Sequence, residues 1–172
     1  RYSKKIAREI VKKRQFKNIK TEDLVQIIDR VKKYQISKIH NSTKVFQALR
    51  ILVNKEISEL INSLIHSFHL IPIGGIIAVV TFHSIEDKIV KFFFKHYSEE
   101  KNSSRYMPNQ EASEICFKLI NKKPILPSSD EIKKNPPSRS AKLRYGIKIN
   151  KKCNFNDLRE KFKYLTDIEE LN

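Results

Sequence analysis

The stretch from Gly74 to Lys91 constrains this chain more than any other. Two of its three glycines, Gly74 and Gly75, precede seven apolar or β-branched residues, Ile76 to Phe82, and the run stops at His83. An unbroken apolar run of this kind predicts a strand buried on both faces. A helix is predicted to follow at once. Ser84 suits an N-cap, Asp87 suits the return half of a capping box, and Ile85, Ile89 and Phe93 recur at helical spacing. In open α/β sheets, strand-to-helix turns lie at the carboxyl ends of strands, where ligands bind. His83 to Asp87 is therefore the first place to expect chemistry.

The helices on either side follow from periodicity. Ile6, Ala7, Ile10 and Val11 make one apolar stripe on a basic segment carrying Lys4, Lys5, Arg8, Lys12, Lys13 and Arg14. Because this reads as a helix already in progress at Arg1, the chain is expected to be part of a longer protein. Thr21 is the expected cap of a second helix, with Glu22 and Asp23 in its first turn and Leu24, Ile27, Ile28 and Val31 on its inner face. Thr43 begins a third, read as one continuous helix to about His69 because Phe46, Leu49, Val53, Ile57, Leu60, Leu64 and Phe68 recur every three or four residues. Gln47, Arg50 and Asn54 share a face near its start.

Beyond the central turn, Glu99 to Ser113 is polar and reads as a long loop. Ile115 to Leu119 is a plausible strand and Ser129 a short-helix start. Leu143, Tyr145, Ile147 and Ile149 alternate with Lys142, Arg144, Gly146 and Lys148, as in an antiparallel or edge strand. Phe155, Leu158, Phe162 and Leu165 mark a last helix.

Charge indicates the class of partner. The formal net charge is +16 over 172 residues, and residues 1–50 hold 15 Lys or Arg against 4 Asp or Glu. Such an excess favours a polyanion, most often nucleic acid, although a lysine-rich surface also serves solubility alone. Cys116 and Cys153 lie far apart with no Cys-x-x-Cys pair, which fits a reducing cytoplasm and argues against a disulfide framework or a zinc site. His66 and His69 lack a third ligand, so no metal is expected. No apolar run is long enough to span a membrane.

Three segments carry a more specific signal. Thr43 to Glu56 (Thr-Lys-Val-Phe-Gln-Ala-Leu-Arg-Ile-Leu-Val-Asn-Lys-Glu), Thr81 to Lys91 (Thr-Phe-His-Ser-Ile-Glu-Asp-Lys-Ile-Val-Lys) and Asn135 to Arg144 (Asn-Pro-Pro-Ser-Arg-Ser-Ala-Lys-Leu-Arg) resemble, in order, three signatures of the MraW or RsmH family of small-subunit ribosomal RNA methyltransferases. The likeness runs across most of residues 1–149. Lys44, Val45, Ile73, Ile76 and Pro137 depart from the family pattern.

The resemblance implies an α/β fold: the C-terminal part of a Rossmann-like class I methyltransferase sheet (43–150), preceded by the end of a helical substrate-recognition insertion (1–42) and followed by a helical tail (151–172). It implies S-adenosylmethionine-dependent methylation at N4 of a decoding-centre cytidine in 16S ribosomal RNA, in the cytoplasm, with the RNA or a 30S-type particle as partner. The alternative is a non-catalytic, basic RNA-binding protein derived from the same fold.

On this reading His83 and Asp87 are the catalytic candidates. Substrate contacts fall to Gln47, Arg50, Asn54, Ser84, Glu86, Arg139, Ser140 and Arg144. A capping box would account for Ser84 and Asp87 without any function, and each arginine has the alternative of pairing with a nearby carboxylate. Asn135-Pro136-Pro137-Ser138 lacks the aromatic of an amino-methyltransferase Asn-Pro-Pro motif and is read as a turn delivering Arg139 and Ser140 to the surface. With Gly74, Gly75 and Gly146 as the only glycines, no glycine-rich loop is present, so the main cofactor contacts are expected upstream of Arg1 and none in this chain.

Overall fold

The computed structural model describes residues 2–32, 40–99 and 115–170. They form a mixed α/β structure with seven α-helices, a 3-10 turn and one small antiparallel sheet. The expected loop at 99–113 lies, apart from Glu99, outside the described residues. The chain divides into two compact units, one ending at Asn54 and the other beginning at Lys55. No helix among the described residues is long and apolar enough to cross a membrane.

The first unit contains α1 (Ser3–Arg14), α2 (Thr21–Val31) and α3 (Thr43–Asn54). Its core is Ile6, Leu24, Ile27 and Ile28, with Ile10, Val45 and Phe46 packed around them. The N-cap of α2 is Lys20 rather than Thr21. Asp23 accepts the Lys20 N–H at 3.1 Å and pairs with Lys13 and Lys17 at 2.9 and 2.7 Å. Hydrogen bonds from Lys17 and Lys13 hold its carboxyl far below the usual carboxylate range. Part of the basic face of α1 is thereby spent inside the unit.

The second unit contains α4 (Glu56–Leu70), β1 (Ile76–Thr81), α5 (Ser84–His96), β2 (Phe117–Lys118), α6 (Ser129–Lys134), a 3-10 turn (Pro136–Ser140), β3 (Lys142–Lys148) and α7 (Asn156–Glu169). The single helix expected from Thr43 to His69 is in fact two, α3 and α4. Lys55 between them adopts the left-handed conformation, φ 52° and ψ 39°, so the backbone turns while the apolar spacing runs on unchanged.

The strand order is β1-β3-β2, with both pairings antiparallel. The alternating segment is thus the centre of this sheet. β1 lies at its edge, and it is not buried on both faces: Ile77 and Thr81 are buried, whereas Ile76 and Val80 are 58% and 52% exposed. One face of β1 packs against the helices and the other is open. Gly74 has φ +85°, a conformation side chains resist, and its N–H donates to Lys148 O at 2.8 Å, setting the register of β1 against β3.

The core lies between the sheet and α4, α5 and α7. Phe68, Phe93, Phe117 and Phe155 pack ring against ring with centroids 5.0–5.6 Å apart, and Ile57, Ile89, Leu158 and Phe162 close around them. Lys148, 5% exposed, caps the end of α4 from within: its Nζ donates to Phe68 O at 2.6 Å and Ile71 O at 2.8 Å.

The cysteine expectation is corrected. Cys116 and Cys153 form a disulfide with Cα atoms 6.1 Å apart. Spacing along the chain says nothing of distance through the fold. Pairing of β2 with β3 brings Cys116, whose carbonyl accepts Ile149 N–H at 3.0 Å, beside the segment leaving β3.

Candidate functional site

The turn between β1 and α5 is built by capping, shifted one residue from the expected pattern. His83, not Ser84, is the N-cap: its extended backbone (φ −137°, ψ 164°) lets Nδ1 accept the Glu86 N–H at 3.4 Å. Glu86, not Asp87, returns the bond, with Oε2 accepting N–H groups from Phe82 at 2.9 Å and His83 at 3.3 Å. A histidine can cap this way because an unprotonated ring nitrogen is an acceptor. Ser84 becomes the first helical residue and is exposed.

Asp87, relieved of capping, faces β3. Its Oδ1 receives Arg144 Nε at 2.8 Å and its Oδ2 receives Lys142 Nζ at 2.9 Å. Burial alone would raise its pKa, but the hydrogen bonds from Arg144 and Lys142 outweigh that, and its carboxyl stays below the ordinary value. Asp87 is therefore an ionised anchor between α5 and β3. Arg144, with a side chain 10% exposed, takes the carboxylate-paired alternative rather than presenting itself to solvent.

The structure adds one residue that sequence reading missed. Glu56, first in α4, brings its carboxylate to His83 and Glu86, so that one ligand atom from each of the three lies within 4.8 Å of the others. His83 Nε2 is buried. It is 3.0 Å from Glu86 Oε1, yet among the described residues it makes no well-directed hydrogen bond. Since Nδ1 accepts a backbone N–H, the ring proton is assigned to Nε2. The cluster then offers a buried N–H donor near two carboxylate acceptors. A metal at Nε2 would need the lone pair that the proton occupies, so the geometry suits recognition of a group with adjacent donor and acceptor atoms better than a cation.

The remaining candidates divide by location. Arg139 and Ser140 are exposed on the 3-10 turn, and Arg139 Nη1 donates to Pro136 O at 3.3 Å. Because Thr81 pairs with Lys142, that turn lies at the same end of the sheet as His83. Gln47, Arg50 and Asn54 are on α3, in the first unit. The signal for Glu56 was available in sequence only as an acid within the first resembling segment. Its approach to His83 depends on how α4 and the turn before α5 come together in the fold, which apolar spacing does not reveal.

The model of the MraW methylase family matches residues 1–149. Among similar proteins, the ribosomal RNA small subunit methyltransferase H of Xanthobacter autotrophicus is 42% identical over 151 residues, covering 87% of this chain and 44% of that protein. The protein of the same name from Borreliella afzelii is 46% identical over 149 residues, 86% of this chain and 45% of its own. That from Bartonella henselae is 41% identical over 161 residues, 92% and 46%. The chain thus spans less than half the length of the curated relatives it matches. With a family model covering all three resembling segments and the strand-to-helix turn between them, the chain belongs to the MraW methylase family.

Proposed function

We propose that this chain supplies the substrate-facing wall of an S-adenosylmethionine-dependent methyltransferase acting on N4 of a decoding-centre cytidine in small-subunit ribosomal RNA. The observation that carries the reading is the buried His83 Nε2 set 3.0 Å from a Glu86 carboxylate oxygen, with Glu56 in the same cluster. The Watson–Crick edge of cytosine presents an amino donor next to the N3 acceptor, and uracil presents the reverse. A donor beside an acceptor at this spacing complements cytosine and opposes uracil.

The chemistry asked of these residues is modest. Carboxylates accepting the amine N–H bonds hold the nitrogen in place and draw its lone pair out of ring conjugation. After methyl transfer leaves the nitrogen positively charged, Glu56 or Glu86 is placed to take its proton. Asp87 holds the turn rather than touching substrate. S-adenosylmethionine would supply the methyl group. The acids at the start of α5 oppose an anion there, and no glycine-rich cradle exists in this chain, so none of its residues is assigned to the cofactor.

The sheet supports the same assignment. An antiparallel strand lies between β1 and β2, as at the closing edge of a class I methyltransferase sheet, and the open edge and exposed Ile76 and Val80 of β1 are suited to continuation by upstream sequence. Residues 1–42 fit the end of a helical RNA-recognition insertion, given their positive charge. A ribosomal RNA substrate implies a cytoplasmic site of action.

The test uses the full-length gene product with its upstream half. Glu56→Gln and His83→Ala should each lower N4-methylation of small-subunit particles at least tenfold, read by mass spectrometry of the RNA. Undiminished methylation in both variants would defeat the site assignment, and an unchanged N4-methyl signal in cells lacking the gene would defeat the enzyme reading.

A further inference from the structure

The first turn of α4 is capped from far away in sequence. In a helix continuing from α3 into α4, the N–H groups of Ile57 and Ser58 would bond to the carbonyls of Val53 and Asn54. Instead both donate to the carboxylate of Glu169, to Oε1 and Oε2 respectively, at 2.9 Å each, and Ser58 Oγ donates to the same Oε2 at 2.5 Å. Lys55 offers no acceptor in its side chain and makes no side-chain cap. The first intrahelical bond of α4 is then Glu59 N–H to Lys55 O at 3.0 Å. Glu169, 2% exposed and in the last turn of α7, does from more than a hundred residues away what an N-cap does locally.

We propose that Glu169 is a positioning residue for the site: by taking the two N–H groups it holds the first turn of α4, and that turn carries Glu56 beside His83 and Glu86. The inference rests on the functional reading above and extends it to the tail, which lies beyond the family match at 1–149. The start of the tail, at the opposite end of α7 from Glu169, is held by contacts of its own. Leu158 and Phe162 are fully buried, Asp157 meets His96 Nε2 at 2.7 Å, Leu158 N–H donates to Tyr97 Oη at 3.2 Å, and the Cys116–Cys153 disulfide ties its start to β2. A carboxylate can satisfy both amides at once. A single alanine at 169 frees both, and the uncapped first turn of α4 can then fray, carrying Glu56 away from His83.

The experiment compares Glu169→Ala, Glu169→Gln and Leu158→Ala in the full-length gene product, at a temperature where circular dichroism finds all three folded. Leu158→Ala weakens tail packing without touching the cap. Displacing one catalytic group by about an ångström lowers rate by up to roughly a hundredfold. Glu169→Ala should therefore lower kcat tenfold or more with the KM for S-adenosylmethionine unchanged, and should move the ¹⁵N shift of His83 Nε2. Glu169→Gln, retaining one acceptor oxygen, should recover part of the rate, and Leu158→Ala should alter neither kcat nor the His83 signal. Equal losses in Glu169→Ala and Leu158→Ala, or an unchanged kcat in Glu169→Ala, would overturn the proposal. If Glu169→Ala is silent while Glu56→Gln is inactive, only the positioning role fails. If Glu56→Gln is also fully active, the site reading fails with it.

Discussion

Asp87→Asn isolates the anchor between α5 and β3. In the folded protein the Asp87 side chain is 13% exposed, Arg144 10% and Lys142 39%. Asparagine keeps the shape and one acceptor but removes the charge, stranding the Arg144 guanidinium in a poorly hydrated place. Breaking a buried ion pair by deleting one partner costs about 3–5 kcal/mol, whereas the share of the half-exposed Lys142 is under about 1 kcal/mol because water replaces its partner. Since the asparagine oxygen still accepts one bond, the low end applies, about 3 kcal/mol. For a domain of this size that is a fall in Tm of roughly 6–12 °C.

The pH dependence gives an independent check of the same quantity. The folded-state pKa of Asp87 lies below its unfolded value, so its stabilisation is fully present above the unfolded carboxylate pKa of about 3.9 and is lost as pH falls through the folded value. Urea unfolding at pH 7 and at pH 5 should show the full difference between wild type and variant. At pH 3.5 and below, the difference should shrink. Adding Arg144→Met, which removes the stranded charge, should restore at least half of the loss. A difference under 1 kcal/mol at neutral pH, or one that does not change with acidification, would refute the anchoring role of Asp87.

Two further perturbations test the packing that supports the site. Lys148→Met should lower stability by about 2–3 kcal/mol, because the carbonyls of Phe68 and Ile71 lose a buried charged donor; thermal unfolding showing a loss below 1 kcal/mol would mean that water replaces it. Gly146→Ala should cost about 1–3 kcal/mol, since an added Cβ would lie 2.8 Å from the Phe94 ring in a filled core; an unchanged denaturation midpoint would show that Phe94 can move aside without penalty.

Much of the element order could be read directly from residues. The glycine pair before Ile76, the helical spacing of Ile89 and Phe93, the alternation from Lys142 to Lys148 and the helix start at Ser129 are local features, and local geometry follows from them. The alternation marked β3 as a strand but not which face is covered: Gly146 and Lys148 are buried and Lys142 and Arg144 meet Asp87 on α5, while Leu143 and Ile147 pair with the exposed Val80 and Ile76. The exposed face of β1 was not legible either, since an apolar run records only that something covers it, and not whether the covering residues belong to this part of the chain.

What the sequence alone determined about this protein is the turn at His83, its flanking strand and helix, the basic first third and the family to which these belong. Tertiary structure decided how the groups at that turn are arranged. The capping register depended on whether His83 or Ser84 took the extended backbone, and Asp87 was claimed by Arg144 and Lys142 only because β3 lies against α5. Glu169, at the far end of α7, took two amides at the start of α4, the helix that brings Glu56 near His83. The physical reason is range. Periodicity and capping propensity act over a few residues, whereas a buried charge or an open amide takes whichever partner the folded chain brings within about 3 Å.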